Sequence, residues 1–257
     1  MTAGTTLAGK VALVTGGGTG IGEAIAAAFV QAGATVVVSG RRAEVLAASA
    51  ARTGAQPVVA DVAEEDLVQA LFAQIEAQFG GLDILVNNAG ITGPVAKAED
   101  LDLAAWDDTM DSNVRGTILC IKYAVPLMRR RGGGSIVNMS SLMGLRGYPA
   151  RSAYTASKFA VLGITEAVAQ EVGVDNIRVN ALCPGAVNGA LMQRVIAARV
   201  QHEGRPAEEI IRANYTDKAA LRRWVEPEEV AAAALFLAGP ASASITGERL
   251  RVDAGRM

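Results

Sequence analysis

Val11-Ala12-Leu13-Val14-Thr15-Gly16-Gly17-Gly18-Thr19-Gly20-Ile21-Gly22 is the stretch that decides the fold. Four apolar residues in a row, without alternation, read as a short strand buried on both faces. A glycine-rich turn follows, then an alanine-rich helical stretch from Glu23 to Ala32 that stops at Gly33. Strand, glycine turn and helix in that order is the setting in which a dinucleotide pyrophosphate is held. Glycines let the backbone approach it, and the start of the helix offers free N–H groups and the positive end of the dipole. Gly16, Thr19, Gly20 and Ile21 are therefore candidate cofactor contacts. The plain alternative is a glycine turn that binds nothing.

The same alternation continues outward. Apolar runs at 11–15, 35–39, 57–60, 83–87, 135–139, 177–182 and 248–252 read as strands. Helical patterns fall between them at about 20–32, 43–52, 64–79, 103–130, 153–172 and 227–238. Alternating strand and helix predicts an α/β fold: a doubly wound, Rossmann-like parallel sheet of about seven strands with helices on both faces. No linker or repeat interrupts residues 1–257, so one domain is expected. Arg131-Gly132-Gly133-Gly134 reads as a helix stop and turn, with no other role for its arginine.

Composition narrows the function. Apolar residues make up 51% and charged residues 19%, as in a globular protein rather than a disordered one. A net charge of −2 gives no electrostatic case for nucleic acid or a membrane surface. No apolar run approaches the roughly 20 residues of a membrane span. Cys120 and Cys183 form no disulfide framework and read as small buried residues in a reducing compartment. The leading Met-Thr-Ala-Gly-Thr-Thr lacks a basic region followed by an apolar one, so the expected location is the cytoplasm. Nothing in the pattern suggests a metal site.

Tyr154 and Lys158 stand four apart in Ser-Ala-Tyr-Thr-Ala-Ser-Lys. On a helix they share one face. An ammonium beside a phenol favours the phenolate, and a phenol so tuned can exchange protons near neutral pH. Asn113, inside the long 103–130 pattern, needs a reason to be there, because its amide competes for backbone bonds. An ordinary buried Asn bonded to the backbone is the plain alternative.

Thr15-Gly16-x-x-x-Gly20-Ile21-Gly22, Asn87-Asn88-Ala89-Gly90, Ser141 and the Tyr154/Lys158 pair together resemble the short-chain dehydrogenase/reductase family. The resemblance runs from Leu7-Ala8-Gly9-Lys10 to Ile245-Thr246-Gly247 and Val252-Asp253. It implies an oxidoreductase that interconverts a secondary alcohol and a ketone, using a nicotinamide cofactor. Tyr154 would be the general acid or base, Ser141 would orient the carbonyl oxygen, and Lys158 would lower the phenol pKa and bind the cofactor ribose. Asn113 would hold a water linking Lys158 to solvent. Ser141 is preferred to Ser140 on the family spacing to Tyr154; the alternative is a serine that only caps a turn. The resemblance also places Asp61 and Val62 at the adenine, and Asn88, Ala89 and Gly90 on the cofactor floor. Pro184, Gly185 and Val187 fall at the nicotinamide, while Asn87 is free simply to hold the sheet. Where relatives often carry a Thr after that Pro-Gly, this chain has Asn188-Gly189, which puts that side-chain contact in doubt.

The end of the second strand bears on the choice of cofactor. An NAD enzyme usually carries Asp or Glu there to bond the ribose 2′-hydroxyl. Here the position is Gly40, followed by Arg41 and Arg42. A guanidinium can bond a 2′-phosphate and stack on adenine, so NADP(H) is favoured over NAD(H). Against this, Thr19 stands where many NADP-dependent relatives have a second basic residue. Arg41 and Arg42 could also merely begin a solvated helix.

Residues 188–223 read as a helical insertion acting as a substrate lid. His202, the single histidine, lies within it and reads as exposed rather than catalytic. Arg151, three before Tyr154, falls where hydroxybutyrate dehydrogenases of the family carry a Lys that binds the substrate carboxylate. With Met143 as an apolar wall, it suggests an anionic or polyhydroxylated small-molecule substrate; the bland alternative is an arginine pointing to solvent. A cofactor-binding regulator without turnover is a second reading. An epimerase or dehydratase is a third, disfavoured by the glycine spacing and the missing C-terminal substrate domain. By resemblance the assembly is a homotetramer, or a homodimer, built on the 103–130 and 153–172 helices. Leu119, Ile121, Val161 and Leu162 would suit that burial or burial within one core.

Overall fold

Seven parallel strands form one sheet in the order β3-β2-β1-β4-β5-β6-β7: β1 Val11–Thr15, β2 Thr35–Gly40, β3 Gln56–Val59, β4 Ile84–Asn87, β5 Gly134–Met139, β6 Ile177–Pro184 and β7 Arg249–Val252. The computed structural model describes residues 6–256, without the side chains of Leu191, Ala198 and His202. The readings made at Met1–Thr5 and for the His202 side chain therefore lie outside the described residues. The strand assignments from sequence match to within two residues.

The strands read as unbroken apolar runs because the central ones are covered on both sides. β1 and β4 are buried at every position. Edge strands differ. β3 is mostly exposed and carries Pro57, whose missing N–H an edge tolerates, and β7 alternates arginines with Leu250 and is likewise open.

One face is covered by α1 Gly20–Gln31, α2 Ala43–Thr53 and α9 Pro227–Ala238, through Ile25, Phe29, Leu46, Val230 and Leu237. The other is covered by α3 Glu65–Phe79, α5 Gly116–Arg130 and α6 Ser152–Val172, through Leu71, Phe72, Cys120, Met128 and Val168. Two further helices, α7 Ala190–Glu203 and α8 Ala207–Asn214, form the 188–223 insertion. Cys120 and Cys183 are both buried and unpaired. Among the described residues no helix is long and apolar enough to cross a membrane.

Two expectations need correction. The 103–130 pattern is not one α-helix. Helix α4, Leu103–Met110, passes into a π-helical turn, Asp111–Arg115, before α5 begins. Arg131 does more than end a helix: its Nη2 lies 2.8 Å from Asp83 Oδ2, and Lys10 Nζ lies 3.2 Å from Asp83 Oδ1. The Val11 N–H also donates to Asp83, at 2.9 Å, so this carboxylate ties β1, β4 and α5 together. Of the two readings given for Leu119, Ile121, Val161 and Leu162, the second holds: they are buried within the chain itself. The apolar side chains turned outward on α5 and α6 are Ile118 and Phe159.

Candidate active site

β1 and β4 are neighbours, yet the chain leaves them toward opposite faces of the sheet, so a crevice opens beyond their C-terminal ends. The Gly16–Gly20 turn follows β1, and Asn88-Ala89-Gly90 follows β4. Thr15 sews the two together: its Oγ1 accepts from the Asn88 and Ala89 N–H groups, both at 3.0 Å. The Asn88 amide donates to the carbonyls of Thr15 and Gly16 at 3.0 and 3.1 Å. On the far side, Ser49 of α2 donates to the Gly17 carbonyl at 2.7 Å. Asn87 holds the sheet, donating to Asn138 Oδ1 at 2.9 Å.

These residues fit a dinucleotide. Thr19 precedes α1 in extended conformation and makes no side-chain cap, so the first-turn N–H groups stay free for an anion. Gly20 has φ +57°, and a Cβ there would stand in open space, which leaves the approach to the turn clear. At the adenine end, Arg41 Nη1 lies 3.7 Å from Asp61 Oδ2, directly beyond Gly40 at the end of β2. Asp61 also accepts from the Ala63 N–H at 3.1 Å, and Val62 is buried beneath. Arg42 caps α2 only through its backbone, and its side chain is exposed. At the other end, Pro184 closes β6 and Gly185 donates to the Val252 carbonyl at 3.0 Å. Val187 pairs with Val225. The Asn188 amide donates to Glu226, at 3.1 Å, and Gly189 has no side chain to offer.

Ser141, Tyr154, Lys158 and Asn113 come together from separate elements. Ser141 follows β5 and its Oγ accepts from the Met143 N–H at 3.1 Å, leaving its own proton to donate elsewhere. Met143 is partly buried in the short turn that Ser141 caps. Ser140 is structural, donating to the Lys158 carbonyl at 2.9 Å. Lys158 is buried, and its Nζ donates to the Met139 carbonyl at 2.9 Å. An ammonium carries three donors, so two remain for ligand hydroxyls.

The pKa pattern departs from expectation. Burial pushes the Tyr154 phenol above its ordinary value; a hydrogen bond with Ser141 and the charge of Arg151 oppose it, and Lys158 is not among the groups that lower it. Burial pushes Lys158 down to about 8, while the nearby Cys183 sulfur acts the other way. Lys158 thus stays mostly protonated at neutral pH and loses its charge not far above it.

Asn113 sits in the π turn and is buried. Its side-chain donors and acceptor are taken up by Ile91 and by Ser157 Oγ. Its carboxamide thus braces protein groups on both sides. Gly90 lies between it and Lys158: a Cβ there would be 2.7 Å from Asn113 Oδ1 and 3.6 Å from Lys158 Nζ. Only glycine leaves that gap open.

Arg151 does not point to solvent. It is half-buried, donates through Nη2 to the Thr92 carbonyl at 2.8 Å and lies 5.3 Å from the Tyr154 ring centroid. Thr15, Ser49 and Ser157 are site residues that the sequence reading missed. Ser157 and Thr15 had visible signals, their places one residue before Lys158 and at the head of the glycine motif; Ser49 is a single hydroxyl with none.

A family model described as enoyl-(acyl carrier protein) reductase matches residues 16–256. A 3beta-hydroxysteroid dehydrogenase of Mediterraneibacter gnavus is 37% identical, over 96% of this chain and 94% of that protein. A D-beta-hydroxybutyrate dehydrogenase of Rhizobium meliloti is 35% identical, over 96% of this chain and 98% of that protein. A solved levodione reductase superposes with a TM-score of 0.89 at 31% identity, covering 96% of this chain and 97% of that one. The chain belongs to the short-chain dehydrogenase/reductase family and is an NAD(P)-dependent oxidoreductase acting on CH–OH and C=O groups.

Proposed function

We propose that the protein interconverts a small secondary alcohol and its ketone, with Tyr154 as the proton donor and acceptor. The observation that carries this is the convergence of Ser141, Tyr154 and Lys158 at the mouth of the crevice beyond β4 and β5. In oxidation the Tyr154 phenolate takes the alcohol proton, and in reduction the phenol returns it to the oxygen. A nicotinamide cofactor, when bound, would supply the hydride chemistry. Ser141 donates to the same oxygen and holds it against the phenol. Lys158 would hold the cofactor ribose with its two remaining N–H groups. Asn113 and Ser157 keep the start of α6 in place.

NADP(H) is the preferred cofactor in this reading. Gly40 puts no carboxylate where a 2′-phosphate would lie, and Arg41 projects a guanidinium beside it, 3.7 Å from Asp61. The substrate is anionic or polyhydroxylated. Arg151 stands at the phenol with no carboxylate among the groups that set its charge. Helices α7 and α8 form the lid, joined to the domain by a Tyr215–Trp224 stack with centroids 5.0 Å apart. The free cysteines fit the cytoplasm. Exposed Ile118 and Phe159 support a homotetramer, which size-exclusion chromatography with light scattering tests.

The deciding experiment follows nicotinamide absorbance with a panel of hydroxy acids, cyclic alcohols and their ketones, using both cofactors, with Tyr154→Phe as control. Turnover that prefers NADP(H) and disappears in the variant is expected. Full activity in Tyr154→Phe would overturn the proton-transfer role.

A further inference from the structure

Two cations lie on the Tyr154 ring. Lys158 Nζ is 5.5 Å from its centroid and the Arg151 guanidinium carbon is 5.3 Å from it. The sequence motif accounts for the first. The second comes from three residues earlier, at the cap of α6.

Arg151 is held in place by the loop after β4. Its Nη2 donates to the Thr92 carbonyl at 2.8 Å, and the Ala96 N–H donates to the Ala150 carbonyl at 3.1 Å. Ala150 takes the left-handed conformation, φ +58°, just ahead of it. The Arg151 Nε is buried and has no partner. A guanidinium accepts partial burial without an anion only where surrounding contacts fix it. Here those contacts are the Thr92 carbonyl and the phenol ring.

We propose that Arg151 is a positioning residue for Tyr154: it clips the Ile91–Ala96 loop to the start of α6 and sets a permanent positive charge against the phenol. The proposal rests on the reading of Tyr154 as the proton-transferring group. The groups facing the phenol are Arg151 and Lys158 from α6 and Ser141 from the turn after β5, with Cys183 of β6 beyond Lys158. No carboxylate of the described residues is among them. Lys158, pushed down to about 8, loses its charge as the solution turns alkaline, whereas a guanidinium keeps its own. The helix motif supplies the ribose-binding cation, and Arg151 supplies the one that does not switch off.

The test is the pH dependence of kcat for alcohol oxidation at saturating alcohol and cofactor. The alcohol is whichever of 3-hydroxybutyrate, cyclohexanol and 2-butanol is turned over fastest. Saturation removes any contribution of Arg151 to holding a substrate carboxylate, which appears in KM. In Arg151→Ala the acid limb moves up by about one pH unit, so that kcat below the limb falls about tenfold. Arg151→Gln, which keeps a donor for Thr92 but no charge, moves the limb equally. Arg151→Lys stays within a few tenths of a unit of the parent. Should Arg151→Ala not fold, the Gln and Lys variants decide. A limb that stays put in Arg151→Gln, or a change confined to the alcohol KM, overturns the proposal. An unmoved limb alongside an inactive Tyr154→Phe defeats the role of Arg151 alone. An active Tyr154→Phe defeats the underlying reading.

Discussion

Asn113 grips Ile91 by both of its backbone polar groups: Oδ1 accepts the Ile91 N–H at 2.8 Å, and Nδ2 donates to the Ile91 carbonyl at 2.9 Å. The other Nδ2 hydrogen goes to Ser157 Oγ at 2.9 Å, and Ser157 in turn donates to the Tyr154 carbonyl at 2.8 Å. One carboxamide thus fixes the loop that follows β4 to the turn of helix carrying Tyr154 and Lys158. Asn113→Ala leaves these buried groups unpaired, and we expect a loss of about 2–4 kcal/mol in urea unfolding. A drop in kcat of at least about tenfold should accompany it, since small displacements of a reacting group are costly. A variant as stable and active as the parent would show that the network carries little.

Asp83 lies away from the chemistry and serves stability. Its burial alone would raise the carboxyl pKa, but the hydrogen bonds from Arg131, the Val11 N–H and Lys10 hold it below the usual value. The folded pKa is depressed, so its contribution is present above about pH 4 and is lost as pH falls through the folded value. Asp83→Asn should cost about 2–4 kcal/mol at pH 7, because two cations lose their partner. That difference should shrink steadily below pH 4 in denaturant unfolding. An unchanged gap between pH 7 and pH 3 would contradict the role assigned to the charge.

Most of the fold was legible because buried parallel strands are written as apolar runs, and each run here is bounded by a glycine turn or a helix pattern. The sheet edges were read as closely as the centre, although Gln56–Val59 and Arg249–Val252 face solvent and carry mixed residues. In the site, Tyr154 and Lys158 could be paired from their spacing, and Gly40 could be placed at a strand end. The π turn could not: a one-residue slip in helix register leaves composition and periodicity almost unchanged. Asn113 was a visible misfit in a helix, yet its partners, Ile91 and Ser157, are distant in sequence. The same holds for Arg151, whose direction is set by the Thr92 carbonyl and not by its neighbours in the chain. The sense of the Tyr154 shift was missed because burial, which no local motif encodes, outweighs the nearby charges.

Lys158 trades stability for function. Its folded pKa lies near 8, against 10.5 for a free lysine, so the fold disfavours the ammonium. The sign follows from proton counts: between those values the unfolded chain binds more protons, and stability rises with pH. Below about pH 8 the fold carries the whole penalty, on the order of 3 kcal/mol. Lys158→Met should therefore abolish turnover and raise stability at pH 7, less whatever is lost with the bond to the Met139 carbonyl. Its advantage over the parent should fade as pH approaches 10.5. Urea unfolding of both proteins at pH 7 and pH 10 reads this directly; a Met variant less stable than the parent at pH 7 would refute it.

Gly40 offers the cleanest test of cofactor choice. It ends β2 with φ outside the left-handed region, and a Cβ added there would meet only Leu46 Cδ1, at 3.6 Å, an ordinary contact. Aspartate can therefore replace it without strain. Its carboxylate would stand where a ribose 2′-hydroxyl donates and a 2′-phosphate is repelled. Gly40→Asp should weaken NADP(H) by at least about tenfold and strengthen NAD(H), with melting temperature nearly unchanged. Arg41→Ala should weaken NADP(H) by a similar factor and leave NAD(H) almost untouched, because the variant lacks the cation that would face the 2′-phosphate, which NAD(H) does not carry. Fluorescence titration of NADPH and NADH against both variants gives the four dissociation constants. Equal losses for the two cofactors in Arg41→Ala would mean that Arg41 works through Asp61 and the adenine pocket, and the NADP(H) preference would then fall.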